Sequence, residues 1–335
     1  MVRRLAWFFL FGVLFFAPES LSATPSILSV TGLVKQPLNL TLRDLESYQS
    51  VKVQLNEVTR DGKYSGVFYY RGVPLRTLLE LASIRKTNTD FSKKVDLAIL
   101  VRNREGKEVA LSWGEIFYRN PASVIVATAA VPVKPHHNCK ACHSHDVYGS
   151  RLAQLQRKIR FPKLVINGDS FSDRSLEDIS SVRVIDLRPK VMTKRQEKLC
   201  SFRFTVTGKI KKELAVEDLS AYAHKQVTVK IIGEGKGYHG IVQFAGVPFK
   251  LILDKAGVDG DLKTVFLISA PDGYRSLFSW GEVFLNPLGG RIMIADRVNK
   301  QPISNGGRFM MVVPDDLMAD RYVKAVFEIN VLQIK

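Results

Sequence analysis

The sequence predicts a β-rich α+β protein built from two tandem copies of one domain. Three observations carry this. Short motifs recur in the same order in both halves; short β-branched and aromatic runs dominate between glycine and proline turns; helical patterns are few. The chain has 335 residues, 46% hydrophobic, 10% aromatic and 24% charged, with mean hydropathy near zero. This is a globular composition that excludes wholesale disorder and a collagen-like chain. At about 100–200 residues per domain, two domains are expected.

The repeat is read directly. Val30-Thr31-Gly32 recurs as Val206-Thr207-Gly208, and Leu42-Arg43-Asp44-Leu45 as Val216-Glu217-Asp218-Leu219. Gly72-Val73-Pro74-Leu75 recurs as Gly246-Val247-Pro248-Phe249, and Ser112-Trp113-Gly114-Glu115 as Ser279-Trp280-Gly281-Glu282. Arg160-Phe161 matches Arg308-Phe309, and Asp173-Arg174 matches Asp320-Arg321. The spacing between matches shows that copy one carries about 18 additional residues between Pro121 and Arg160, as expected of a functional surface loop. The domains so defined are residues 24–188, with the insertion at about 130–160, and residues 201–335, joined by a basic linker at 189–200.

Strands are expected over Val51 to Leu55, Val67 to Tyr70, Val95 to Val101, Val227 to Ile232 and Thr264 to Ser269. Leu75, Leu78, Leu79 and Ala82 fall at helical spacing, as do their counterparts Phe249, Ile252, Leu253 and Ala256. Leu42-Arg43-Asp44-Leu45 and Val216-Glu217-Asp218-Leu219 stand where the resemblance described below implies a helix entry. Trp113 and Trp280 occupy equivalent S-W-G-E positions and read as fold packing, with Glu115 and Glu282 as turn or cap residues.

Arg3 and Arg4 precede a 13-residue apolar run from Leu5 to Ala17, followed by a polar break and small residues ending at Ala23. This describes a cleaved secretory signal over residues 1–23, too short to span about 30 Å of hydrocarbon. Export to the periplasm is the expectation, with no integral span in the mature chain. The formal charge is +17, and loss of Arg3, Arg4 and Glu19 still leaves +16. Such a surplus suits an acidic partner or surface, and export argues against nucleic acid.

Further motifs carry a resemblance. In copy two these are Val206 and Gly208, Asp218-Leu219, Gly246-Val247-Pro248, Asp272-Gly273-Tyr274, Asn299, Pro302 and Val312-Val313-Pro314. Together they resemble the sulfite-oxidase-type, or oxidoreductase molybdopterin-binding, domain, over most of both copies. The resemblance implies two tandem domains of that fold. It also implies a molybdenum-holding cysteine between the L-x-D-L and G-V-P-L helices. The comparable stretches, Val51 to Gly66 and Val227 to Gly240, contain none. A thiolate is a soft ligand that Asn56, Thr59 or Glu234 cannot replace, so cysteine-held molybdenum is not expected, and a residual pterin pocket stays open. Arg60 reads as a solvated charge or an anion contact.

Two of the three cysteines sit in the insertion. Cys139-Lys140-Ala141-Cys142-His143 is a C-x-x-C-H sequence, the attachment signature of c-type haem. Two thiols one helical turn apart reach the two vinyl groups of one porphyrin, and His143 is then the proximal iron ligand. A zinc site using His136, His137 or His145, and a Cys139–Cys142 disulfide, are the competing readings. His136, His137 and His239 are candidate distal ligands, with Met192 a weaker one. Ile125, Val126, Val131 and Val133 are placed to line a porphyrin face. A helix over residues 150–160 would align Leu152, Leu155 and Ile159, with Arg157 and Lys158 toward the propionates. Ordinary core packing is the alternative for that stripe. Cys200 reads as a small buried hydrophobe.

The function expected is single-electron transfer by an exported monohaem c-type cytochrome, meeting a redox partner with an acidic face. The alternatives are a molybdopterin oxidoreductase with haem as internal acceptor, and a haem-based redox or ligand sensor or assembly protein.

Overall fold

The computed structural model describes residues 26–87, 90–133, 156–187 and 199–335. The signal segment, the C-x-x-C-H motif, His136, His137, His145, Leu152, Leu155 and Met192 lie outside these residues.

The described chain is β-rich, and the two copies repeat one topology. Copy one runs β1 (Leu28–Gly32), β2 (Leu38–Leu40), α1 (Leu42–Ser47), β3 (Val51–Val58), β4 (Tyr64–Pro74) and α2 (Leu75–Ala82). It continues with β5 (Leu97–Asn103), β6 (Glu108–Ser112), α3 (Trp113–Phe117), β7 (Val124–Pro132), β8 (Lys163–Ile166) and β9 (Ile179–Asp186). Copy two runs β10 (Phe204–Gly208), β11 (Leu214–Val216), β12 (Lys225–Gly233), β13 (Gly237–Pro248), α4 (Phe249–Lys255), β14 (Thr264–Ser269) and β15 (Arg275–Ser279). It ends with α5 (Trp280–Phe284), β16 (Met293–Val298), β17 (Gln301–Pro302), β18 (Met310–Val312), β19 (Val323–Lys324) and β20 (Glu328–Gln333).

One sheet has the order β2-β1-β9-β5-β6 in copy one and β11-β10-β20-β14-β15 in copy two. The central pairing, β1 with β9 and β10 with β20, is parallel in both. The second sheet is β3-β4-β7-β8 in copy one and β12-β13-β16-β18-β19 in copy two. The expected strands form, and α2 and α4 bury the expected stripe between the sheets.

Two expectations are corrected. The L-x-D-L sequence opens a helix only in copy one. There Thr41 caps the first turn and Asp44 reaches back to its amide in a capping box. Copy two has Ala215 at the Thr41 position, and the Asp218 carboxylate instead accepts from the Ser220 amide and hydroxyl, closing a turn. Residues 157–160 are not helical. Ile159 packs with Phe161 on a separate apolar cluster of Val53, Leu55, Phe68, Tyr70 and Val165.

The copies meet about a pseudo-twofold axis. The Ala110 amide donates to the Leu262 carbonyl at 2.7 Å, and its counterpart Leu277 donates to Val95 at 2.9 Å. Ala98, Leu100 and Ala110 pack against Val265, Leu267 and Leu277 beneath these bonds. The flanking ion pairs are equivalent with their polarity exchanged: Asp96 accepts from Arg275 at 2.8 Å, and Glu108 accepts from Lys263 at 3.1 Å.

The two S-W-G-E helices lock this contact. Ser112 and Glu115 form a capping box on α3, and Ser279 and Glu282 form one on α5. The Ser279 hydroxyl also donates 2.7 Å across the axis to Glu115. Arg174 grips Asp169 through Nε and Nη2 and reaches Glu115 at 2.8 Å and Ser279 at 3.3 Å. Arg321 repeats this with Asp316, Glu282 at 2.9 Å and Ser112 at 3.2 Å. Each arginine crosses onto the glycine of the other copy's helix. A Cβ on Gly281 would lie 2.3 Å from Arg174 Cδ, and one on Gly114 would lie 2.2 Å from Arg321 Cδ.

Gly281→Ala should therefore displace Arg174 and lower the unfolding free energy by about 3 kcal/mol, because it crowds a closed contact and unpairs a buried cation. Gly290, with nothing within 4 Å of an added Cβ, is the control. Chemical denaturation of both alanine variants checks this; equal stabilities would contradict the lock.

Candidate functional site

The alternation of β3 turns Val53, Leu55 and Glu57 inward, placing a carboxylate in an apolar row. Tyr70, inward on the neighbouring β4, and Lys163, the first residue of β8, complete a buried trio. Their residual exposures are 5%, 0% and 1% for Glu57, Tyr70 and Lys163. Lys163 Nζ donates to Glu57 Oε1 at 2.6 Å, to the Tyr70 hydroxyl at 2.9 Å and to Glu177 at 3.4 Å. The Tyr70 hydroxyl donates to Glu57. Arg157 bridges Glu57 and Glu177 and donates to the Ser65 carbonyl at 3.1 Å.

The electrostatics follow from burial against pairing. Burial alone would raise the Glu57 carboxyl, but the Lys163 charge and three side-chain hydrogen bonds hold it below its ordinary value. Burial and the adjacent Glu57 carboxylate raise the Tyr70 hydroxyl far above the usual range, so it serves as a donor.

This cluster floors a polar basin of about 800 Å³ in copy one, bordered by Leu262 of copy two. Its lining carries six basic and six acidic side chains. Arg60 pairs with Asp173 at 3.0 Å and lies over the Trp280 ring; Arg160 pairs with Glu105. The basin does not fit a thiolate-held molybdenum or an anionic pterin. Its lining holds no cysteine, its cations are matched by carboxylates, and Cys200 lies outside it. Among the described residues no group of three or more His, Cys, Asp or Glu side chains is arranged to hold a metal.

The insertion leaves and rejoins the fold at this basin. The Val133 amide, after β7, donates to the Val67 carbonyl at 2.9 Å, and Arg157 returns to Ser65, two residues earlier on β4. Arg157 is thus held by carboxylates, whereas Lys158 is exposed and has no ion pair among the described residues. Ile125 and Val126 are fully buried in the domain core and offer no outer face; Val131 is 58% exposed. His239 belongs to copy two, on β13 beside a separate cleft.

Strand registers show what sequence reading missed. Glu57, Tyr70 and Lys163 occupy the positions of Ile231, Phe244 and Met310 in copy two. The same scaffold therefore folds with apolar residues at all three. The charges of copy one are not a requirement of the architecture.

Lys163→Met alone should destabilise the protein by about 3–5 kcal/mol, because it strands a buried carboxylate. Adding Glu57→Ile and Tyr70→Phe should restore stability to within about 1 kcal/mol of the parent. Denaturant unfolding of the single and triple variants checks this; additive losses would contradict it.

The chain matches no family model and no curated protein. Among solved structures it is similar to the sulfane dehydrogenase SoxCD from Paracoccus pantotrophus, with TM-score 0.33 and 12% identity over 92% of this chain and 77% of that one. A likeness of that size carries no argument about chemistry.

Proposed function

We propose that this protein is an exported c-type cytochrome that carries one covalent haem and transfers single electrons, on a pair of degenerate sulfite-oxidase-like domains. The observation that carries the proposal is the C-x-x-C-H sequence, in a segment that copy two lacks. Cys139 and Cys142 would tether the macrocycle and His143 would ligate the iron. Bound haem supplies a one-electron couple; the protein's part is to hold it, set its surroundings and admit a partner. His136, His137 and His239 are the distal candidates.

The scaffold supports this reading in two ways. Both ends of the segment bearing the motif are tied to β4 within three residues of each other, so the insertion is a closed excursion from a rigid sheet. The basin beside it does not fit the cofactor that the domain resemblance would otherwise supply. Periplasmic placement follows from the signal-like residues 1–23. Among the described residues no helix is long and apolar enough to cross a membrane.

Protein made in a host with haem-attachment machinery should keep its haem colour after denaturation and acid extraction, at one haem per chain. Cys139→Ala with Cys142→Ala should abolish it. Colour that extracts fully from the parent would overturn the assignment.

The redox partner is proposed to present an acidic face. Arg157 is neutralised by Glu57 and Glu177, so the steering charge rests on Lys158 with Lys134, Lys140 and Arg151 of the insertion. Stopped-flow electron exchange with an acidic redox protein should slow as ionic strength rises, since the Debye length falls from about 10 Å at 0.1 M to about 3 Å at 1 M. Lys158→Glu should flatten that dependence. A salt-independent parental rate would contradict the proposal.

A further inference from the structure

The cleft of copy two that corresponds to the charged basin is built for a different occupant. Ile231, Phe244 and Met310, the counterparts of the Glu57–Tyr70–Lys163 trio, line an apolar cleft of about 550 Å³. That volume lies within the range of small-molecule sites. In copy one the equivalent space receives the guanidinium of Arg157, delivered by the end of the insertion, and every buried charge there is matched. Copy two has no insertion, and among the described residues nothing equivalent fills its space.

The charged or titratable side chains at the edge of this cleft are all basic. Lys236, His239 and Lys324 line its edge, all exposed, and none pairs with a carboxylate among the described residues. No acidic side chain lines the cleft. Deeper in, Tyr322 is 9% exposed and packs edge-on to Phe244, with ring centroids 6.4 Å apart. An apolar wall beneath a basic edge, with no acidic side chain in the lining, describes the complement of one ligand class.

We infer that copy two holds a binding site for a small amphiphilic anion, an apolar body bearing a single carboxylate. The apolar body lies against Ile231, Phe244 and Met310. The carboxylate meets Lys236 and Lys324 at the mouth. A cationic head on the same body is repelled by the two lysines, and a neutral one gains only the apolar contact. The apolar wall and both lysines belong to copy two.

Titration calorimetry of the full chain with 2-naphthoate, 2-naphthalenemethanol and 2-naphthylmethylamine tests this with one apolar body and three heads. Saturable binding is expected in the order carboxylate, alcohol, amine. Lys236→Glu with Lys324→Glu should weaken naphthoate by about tenfold or more while leaving the alcohol unchanged, as loss and reversal of two rim charges requires. Ser304→Trp, at an exposed position lining the mouth, should block all three without altering the unfolding midpoint. Equal affinity for the three heads would overturn the inference. So would naphthoate binding that survives Ser304→Trp, or no saturation by naphthoate up to about 1 mM.

Discussion

The exchange of Arg174 and Arg321 across the pseudo-twofold axis is the constraint on which the rest of the molecule depends. Each guanidinium is buried, held through two nitrogens by an aspartate of its own copy, and set against a glycine of the other. The cost of burying a cation is offset only when its hydrogen bonds are complete, so neither copy can shift without exposing an unpaired charge. The S-W-G-E sequence serves this contact three times over. Its serine caps the helix, its glutamate closes the capping box and pairs with the arginine, and its glycine leaves room for the other copy's arginine.

On that frame the copies have diverged at one place. In copy one an inward carboxylate, phenol and ammonium receive an arginine from the returning insertion, and the cluster closes with its charges matched. In copy two the same three positions are apolar and the space stays open. Insertion and buried charge occur together or not at all. Because a well-packed apolar core is commonly as stable as a buried ion cluster, stability does not explain why copy one keeps the charged form. The returning Arg157 does. Glu57, Glu177 and Lys163 without it would leave a net buried negative charge.

Much of this was legible before any coordinates. The tandem repeat, the strand runs and the α2 and α4 stripes follow from short-range patterns that local sequence carries in full. The failures are physical and specific. Asp218 matches Asp44 as a letter, but Ala215 cannot cap, so the helix is lost. Ile159 keeps a helical interval from Leu152 and Leu155, yet residues 157–160 are not helical and Ile159 packs on the cluster of Val53, Leu55 and Phe68. Asp173-Arg174 and Asp320-Arg321 were visible as a matched pair, but their role lies in a contact more than a hundred residues away in the chain. The Glu57–Tyr70–Lys163 trio did leave a signal: a carboxylate on the inward phase of a strand, opposite an isoleucine in the sister copy. Aligning the copies by strand register rather than by motif exposes it.

The interlocked copies form the frame, and the proposed redox chemistry belongs to the insertion that copy one alone possesses. The central claim is that the protein moves one electron at a time. Optical potentiometry of the mature, haem-loaded chain tests this most directly. The account predicts a reversible haem transition that follows a one-electron Nernst curve, with one electron taken up per chain. An absence of any redox-linked haem spectrum, or reduction that draws two electrons per chain, would contradict it.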